Sequence, residues 1–310
     1  MSRKATQLPL EISTPPKQYS PANRCIYCRR KAIELTKEHI LPYGMAANSL
    51  VLPKASCKKC AEITRDVETF CLRHMWWPFR TCIGAPSRGK QPITQFTLRV
   101  VDRLNKDAVS LESKSASDYP MFYYALLLNI PGILRFAKES ENKPYQFFAL
   151  HAKEELAAAL SGSPEDSLIS VGPMDDKIFV RLLWKIAHGF AVAELGWGAA
   201  NWFLPLLIRD FNLPALHFIG GFPALPSKTE NMHELRLDVV RLGSINYVVV
   251  GVRLFSFMPT PQYLIVAGSL KSSFASDTDV KARDFDVGLK PPVPNWDLKQ
   301  SDGDIWRTWR

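Results

Sequence analysis

Cysteine is scarce in this chain, and none occurs beyond the first 82 residues. The 310 residues contain six cysteines, too few for a small secreted domain stapled by disulfides. Long apolar segments are also missing. The most apolar run, residues 121–136, is too short to cross a bilayer and is interrupted by Asn129 and Pro131. The first residues form no apolar signal segment, so we expect a cytoplasmic protein without membrane contact.

Fingerprints of common catalytic sites are absent from the larger part of the sequence. Residues 95–310 contain no Walker A, GxGxxG or GxSxG segment and no second metal cluster. We expect this part to sense, to recruit a protein partner or to form a homodimer. Its strongest helix carries Lys185, His188 and Glu194, which are interpreted as an ordinary polar helix face.

Positive charge is concentrated in the first third of the chain. The formal net charge is +9. Residues 1–105 carry 18 Lys and Arg against 7 Asp and Glu, whereas residues 106–310 carry 21 against 23. Such asymmetry is typical of a module that faces nucleic acid joined to an ordinary globular one. A solvated basic face gives the same count, but the pattern favours a polyanionic partner.

Four cysteines in this basic third form two CxxC pairs, Cys25 with Cys28 and Cys57 with Cys60. Each pair presents two thiolates from one tight turn, and two pairs supply the four tetrahedral ligands that a structural Zn²⁺ requires. Buried or redox-active cysteines are the alternative. The remaining candidates are interpreted as core or peripheral residues: Cys71, His74 and Cys82.

The sequence predicts an α+β protein in two parts. The predicted segments are a flexible arm (1–22), a small zinc-binding domain (23–90), a larger α+β domain (95–270) and a polar tail (271–310). In the larger domain we expect a strand at 95–101, two helical stretches within 119–160, a helix at 175–195 with one apolar face, and an antiparallel meander at 233–241, 245–256 and 262–268.

A glutamate–histidine pair lies between the two CxxC pairs. The segment LTKEHILPYGMAANSLVLPKASC, residues 35–57, places Glu38 and His39 before Pro42 and places Asn48 before an apolar triplet. With the CxxC pairs and a following helix, residues 24–75 resemble the HNH nucleases of the ββα-metal superfamily, in the branch pinned by zinc. The resemblance implies a small treble-clef-like fold that hydrolyses phosphodiester bonds in DNA. A role in restriction, anti-phage defence or a mobile element would fit that family.

The same resemblance implies a role for each of these residues. His39 would be the general base, a task that suits a histidine neutral near physiological pH. Glu38 would bind a catalytic Mg²⁺ or Mn²⁺, since such hard cations prefer carboxylate oxygen. Asn48 would hold the His39 loop by hydrogen bonds to the backbone. The zinc at the four cysteines would be structural.

One position departs from the family pattern. An Asn or His commonly follows the last cysteine and supplies a second ligand to the catalytic metal, but here the residue is Ala61. On a helix, Glu68 lies in line with Ala61 about 10 Å along the axis, whereas Glu62 faces about 100° away. We expect Glu68 to be the second ligand. The alternatives are Glu62, a metal held by Glu38 and water, or an eroded zinc module that binds nucleic acid or a protein.

Basic residues flank the two CxxC pairs, and we expect them to neutralise phosphates of a nucleic acid, DNA in preference to RNA. These residues are Arg29, Arg30, Lys31, Lys54, Lys58 and Lys59. Each alone could be an ordinary surface charge. A protein–protein adaptor built on the larger α+β domain is the third hypothesis.

Overall fold

The described part of the chain is a mixed α+β protein, and that level of the prediction is confirmed. The computed structural model describes residues 11–12, 16–31, 34–88, 95–102, 109–116, 118–136, 146–152, 154, 161, 167–210, 216–222, 231–275, 283–287, 289–290, 298–301 and 306–308. The other residues of the predicted arm and tail lie outside these ranges.

Six α-helices occur among the described residues: α1 Tyr43–Ala46, α2 Lys58–Thr69, α3 Trp77–Cys82, α4 Asp176–Leu195, α5 Leu204–Arg209 and α6 Ser272–Ala275. A π-helical segment, Phe70–Met75, joins α2 to α3. Short 3-10 helices lie at Gly132–Arg135 and Trp197–Ala199. None of these helices combines the length and the apolar character that a bilayer crossing requires.

Eighteen strands occur in the same ranges. In chain order they are β1 Glu11–Ile12, β2 Lys17–Gln18, β3 Leu35–His39, β4 Leu50–Cys57, β5 Gln95–Asp102, β6 Val109–Ser115, β7 Phe122–Leu127, β8 Gln146–Ala152, β9 Ser167–Val171, β10 Ala200–Trp202, β11 Ile219–Phe222, β12 His233–Leu242, β13 Ile245–Leu254, β14 Gln262–Leu270, β15 Arg283–Val287, β16 Leu289–Lys290, β17 Leu298–Ser301 and β18 Trp306–Thr308.

The cysteine-rich segment folds as two antiparallel strands followed by a helix. Strands β3 and β4 pair so that Leu35 lies opposite Cys57 and His39 lies opposite Val51. Helix α2 begins directly after β4, and it buries Cys60 and other residues at helical spacing. Strand β2 runs parallel to β4, so this part of the predicted arm belongs to the sheet.

The predicted meander is confirmed. Strands β12, β13 and β14 are neighbours in a six-stranded sheet that also contains β10, β11 and β15. Gly243 has φ 61° in the tight turn between β12 and β13, a left-handed conformation that favours glycine. The predicted strand at 95–101 is confirmed as β5, which pairs with β6 and β9.

The interval 119–160 differs from its prediction, which was two helical stretches. Phe122–Leu127 and Gln146–Ala152 are the antiparallel strands β7 and β8. Residues 137–145 and 155–160 lie outside the described ranges. A short apolar run fits either periodicity, and its aromatic residues favour strands once a pairing partner is present.

The interval predicted to be a polar tail contributes strands to several sheets. Strand β15 pairs with β12, β16 with β1, β17 with β8 and β18 with β9. Strands β15, β17 and β18 of this interval are therefore attached to the larger sheets by backbone hydrogen bonds, whereas β16 and β1 form a separate two-stranded sheet.

Helix α4 lies at the centre of the protein. The helix predicted at 175–195 is confirmed, and the side chain of Asp175 caps it by accepting the Ile178 N–H at 2.9 Å. Residues from Phe179 to Val192 are all buried, so the helix is covered on every side and not on one face only. One hydrophobic core runs from the cysteine-rich segment through α4 to the large sheet.

Candidate functional site

The four predicted metal-binding cysteines form one cluster. The Sγ atoms of Cys25, Cys28, Cys57 and Cys60 all lie within 4.8 Å of one another. Cys28 Sγ and Cys57 Sγ are 3.7 Å apart. Four thiolates about 2.3 Å from a tetrahedral Zn²⁺ would be spaced by about 3.8 Å. The cluster can therefore hold a metal ion of that size and geometry.

Local structure explains why these cysteines meet. Cys57 ends β4 and precedes α2, which places Cys60 in the first turn of that helix. Among the described residues, this is the one group of three or more potential ligands close enough to hold a metal ion. Cys71 is buried elsewhere and His74 is exposed, as expected for residues outside the cluster.

His39 and Asn48 form a side-chain pair at the opposite end of the β3–β4 hairpin. His39 Nε2 lies 3.0 Å from Asn48 Oδ1. An amide oxygen only accepts, so Nε2 carries the proton and Nδ1 is left as the basic nitrogen. The resemblance implies that Asn48 hydrogen-bonds to the backbone. In the structure, its amide oxygen contacts the imidazole of His39. The pair is accessible, since Asn48 is exposed and His39 is half-buried.

Strand alternation separates the glutamate from the histidine. Successive side chains of a strand point to opposite faces. Lys37 is exposed and His39 half-buried, whereas Glu38 points inward and is only 5% exposed. The adjacent Glu-His pair of the sequence therefore divides into an accessible base and a buried carboxylate.

Glu38 and Glu68 converge on a lysine that the sequence interpretation assigned to an ordinary helix face. Lys185 Nζ lies 2.9 Å from Glu38 Oε1 and 2.7 Å from Glu68 Oε1. It also donates to the carbonyl oxygens of His39 and Ile40. Glu68 and Glu38 thus contact the same ammonium group, which lies between their two carboxylates.

The charges around this cluster shift several pKa values. Burial raises the pKa of Glu38, and Lys185 opposes that rise. Burial disfavours the charged form of Lys185, but Glu38 and Glu68 outweigh it and raise the pKa of Lys185. Burial lowers the pKa of His39, and so do the nearby cations, which keeps its imidazole neutral. The cluster therefore consists of paired charges beside a neutral histidine.

Comparison with known proteins identifies no relative. No protein-family model, curated protein or solved structure matches the chain. The chemistry of the site itself must therefore carry any functional conclusion.

All six predicted nucleic-acid contacts are exposed: Arg29, Arg30, Lys31, Lys54, Lys58 and Lys59. Five of them adjoin the cysteine pairs in sequence, whereas Lys54 lies midway along β4. Arg30 also points at the metal-binding cluster, because its Nε lies 3.4 Å from Cys28 Sγ. Since Cys57 pairs with Leu35 and Val51 with His39, the basic group lies about four residues, or about 13 Å, from the histidine along the strands.

Two other basic residues lie near His39, and neither was singled out from the sequence. Lys37 and Arg88 are exposed, and both contribute to the lowered pKa of His39. The Arg88 guanidinium lies 4.6 Å from the centroid of the Tyr43 ring, which contacts the His39 ring edge-on at 6.1 Å. For Arg88, the sequence offers one signal, its place in the basic segment PSRGK, residues 86–90.

Proposed function

We propose that the chain hydrolyses phosphodiester bonds in DNA with His39 as the general base, the role that the resemblance to the HNH nucleases implies. The observation that carries this proposal is the 3.0 Å contact between His39 Nε2 and Asn48 Oδ1. It orients an accessible imidazole and leaves Nδ1 able to take a proton from water. Further support comes from the order of β3, β4 and α2 beside the four cysteines, which agrees with a zinc-pinned ββα-metal, treble-clef-like domain.

The surrounding cations suit a polyanionic substrate. Hydrolysis of a phosphodiester requires an activated water and relief of the negative charge on the phosphoryl oxygens. Lys37 and Arg88, both exposed near His39, would contact phosphate there. Duplex DNA carries one charge per about 1.7 Å of its axis, so a span of about 13 Å presents roughly eight charges. One duplex is long enough to reach from the histidine end to the cysteine end.

We propose that Zn²⁺ at the four cysteines has a structural role. Four thiolates close a tetrahedral site and leave no position for water or substrate. The Arg30 side chain would donate to the sulfur of Cys28, as groups outside a metal's ligand shell commonly do. Zinc would hold the turn of Cys25 and Cys28, the end of β4 and the first turn of α2 together, and would thereby support the hairpin that carries His39.

A catalytic Mg²⁺ or Mn²⁺ would relieve charge on the phosphate and assist the leaving oxygen. Glu38 and Glu68 have the carboxylate oxygens that such an ion prefers. The described arrangement does not fit that ion, however, because Lys185 Nζ already lies within 2.9 Å of both side chains. The proposal therefore rests on His39, Asn48 and the surface cations.

A plasmid-nicking experiment tests the proposal. Zinc-loaded protein would be incubated with supercoiled plasmid in Mg²⁺ and in Mn²⁺ buffers, and nicked circles would be measured over time. Wild type should nick the plasmid and His39→Ala should not. His74→Ala is the matched control, because His74 is an exposed histidine outside the hairpin, and it should retain wild-type rates. Equal nicking by His39→Ala and wild type would refute the proposal.

A second candidate is a zinc-pinned module that binds DNA without cutting it. Two observations favour it: Ala61 cannot ligate a metal, and Lys185 occupies the carboxylate pair. This candidate predicts binding that weakens steeply with salt in a sample that nicks plasmid in neither buffer. Detection of His39-dependent nicking would reject it.

A further inference from the structure

A buried ammonium lies where the two carboxylates of the predicted metal site meet. Lys185 is 1% exposed and Glu38 is 5% exposed. The neighbours of Nζ are all oxygens: Glu38 Oε1 at 2.9 Å, Glu68 Oε1 at 2.7 Å, Ile40 O at 3.2 Å, and His39 O. Two of these oxygens carry negative charge, and the other two belong to adjacent backbone carbonyls.

This set of neighbours is also what a hard divalent cation takes. Mg²⁺ and Ca²⁺ bind carboxylate and carbonyl oxygens, Mg²⁺ at about 2.1 Å. The separations from Lys185 Nζ to Glu38 Oε1, Glu68 Oε1 and Ile40 O, 2.7 to 3.2 Å, are those of charge-assisted N–H···O bonds. An ammonium and a divalent ion cannot share one position, because their charges repel and the nitrogen fills the space between the oxygens.

We infer that Lys185 is a built-in cation at Glu38 and Glu68, and that this carboxylate pair binds no divalent metal in the wild-type protein. The inference rests on the proposed function only in treating Glu38 and Glu68 as the expected metal ligands. The ammonium would satisfy the two carboxylates and, through the carbonyls of His39 and Ile40, hold the strand end that carries the base. Lys185 is thus a positioning residue for His39.

Contacts of helix α4 on the C-terminal side of the cluster keep Lys185 in this place. Farther along the helix, His188 Nε2 bonds Ile26 O at 2.8 Å, and Glu194 forms an ion pair with Lys17 at 2.6 Å. Because α4 is buried along its middle, withdrawing Lys185 would leave two carboxylates without a counterion in the interior. A metal could bind there only if its own interaction with the two carboxylates exceeded the interaction that they lose with Lys185.

Mn²⁺ binding tests the inference without any requirement for cleavage. Protein with Zn²⁺ already bound at its cysteines would be titrated with Mn²⁺ at fixed pH, and free Mn²⁺ would be measured by electron paramagnetic resonance. Wild type and Glu38→Gln should bind Mn²⁺ equally weakly. Lys185→Met should gain one Mn²⁺ per chain with affinity at least about tenfold above wild type. Adding Glu38→Gln to Lys185→Met should remove that gain.

The matched control is Lys177→Met, which removes an exposed lysine from the first turn of the same helix and should behave as wild type. The inference would be overturned if wild type bound Mn²⁺ and Glu38→Gln abolished that binding. It would also be overturned if Lys185→Met folded and showed no increase in Mn²⁺ affinity. If Lys185→Met does not fold, the comparison of wild type with Glu38→Gln still shows whether the wild-type carboxylate pair binds Mn²⁺. Failure of plasmid nicking alone would reject the nuclease and leave this inference intact.

Discussion

Lys185 Nζ and Glu38 Oε1 lie 2.9 Å apart in the interior, although the lysine belongs to α4 and the glutamate to β3. The contact joins the central helix to the hairpin that carries His39. The cysteine-rich segment and the larger α+β part are therefore held together by buried charge as well as by a shared apolar core.

Replacing Lys185 should destabilise the whole protein. Lys185→Met leaves Glu38 and Glu68 without their counterion, and breaking a buried pair in this way costs about 3–5 kcal/mol. Chemical denaturation should show that loss for Lys185→Met, with partial recovery when Glu38→Gln is added. Lys177→Met should change the free energy of unfolding little, as exposed sites usually do. A loss for Lys185→Met no larger than that of Lys177→Met would show that the pair contributes nothing.

Loss of the cysteine cluster should abolish zinc binding and weaken the fold. Cys57→Ser removes one of the four ligands, and structural zinc contributes directly to folding free energy. We expect the zinc content of purified Cys57→Ser, measured by elemental analysis, to fall well below one per chain, with a lower Tm. Cys82→Ser alters a cysteine outside the cluster and should keep both values. Full zinc occupancy in Cys57→Ser would contradict the four-cysteine site.

Acid should destabilise the protein through His233. Its Nδ1 accepts the Phe255 N–H at 3.1 Å and its Nε2 donates to Met45 O at 3.3 Å, and the first of these contacts requires a neutral ring. Burial lowers the pKa of His233 to about 3, and that of His188 to about 4. Both lie below the usual value near 6.5. The stability they contribute is complete above about pH 6.5 and is lost as the pH falls towards those values.

Denaturant midpoints between pH 7 and pH 4 measure this effect. One such histidine contributes a slope of about 1.4 kcal/mol per pH unit within its window. His233→Gln should flatten the pH dependence, while His74→Gln, at an exposed position, should leave the slope unchanged. The same slope in His233→Gln and wild type would contradict the assignment.

Arg88 should contribute to nucleic-acid binding. It is exposed near His39 and packs on Tyr43, so Arg88→Gln should weaken binding to duplex DNA and lower the slope of log affinity against log salt by roughly one. Fluorescence anisotropy across a salt series measures both values. Lys271→Gln removes an exposed lysine in another part of the fold and serves as the control. An unchanged slope in Arg88→Gln would place Arg88 outside the interface.

Features set by local spacing could be predicted from the sequence. The two CxxC pairs bring their cysteines together because each pair occupies one turn, and β4 leads directly into α2. The capped helix at Asp175 and the strands around Gly243 have equally local signals. The strands β7 and β8 were mistaken for helices, since a pairing between distant segments decides their state.

The position of Lys185 could not be predicted from spacing, because it depends on how α4 packs against β3 and α2. A weaker signal was present. Lys185 lies between Trp184 and Ile186 in a helix with apolar residues on all sides, and a lysine there must be buried. Buried lysines are nearly always paired. The helix pattern thus contains a signal that Lys185 has a buried partner, which the interpretation as an ordinary polar face overlooked, but it does not identify Glu38 and Glu68 as that partner.

The central claim is that His39 and Asn48 act as one catalytic unit. The most direct test is a double-mutant cycle on the single-turnover cleavage rate of a labelled DNA duplex at matched zinc content. His39→Ala should lower the rate by about 100-fold or more. Asn48→Ala should also lower it, and the double variant should be no slower than His39→Ala, since coupled residues give non-additive losses. A wild-type rate in either single variant, or losses that multiply in the double variant, would contradict the claim.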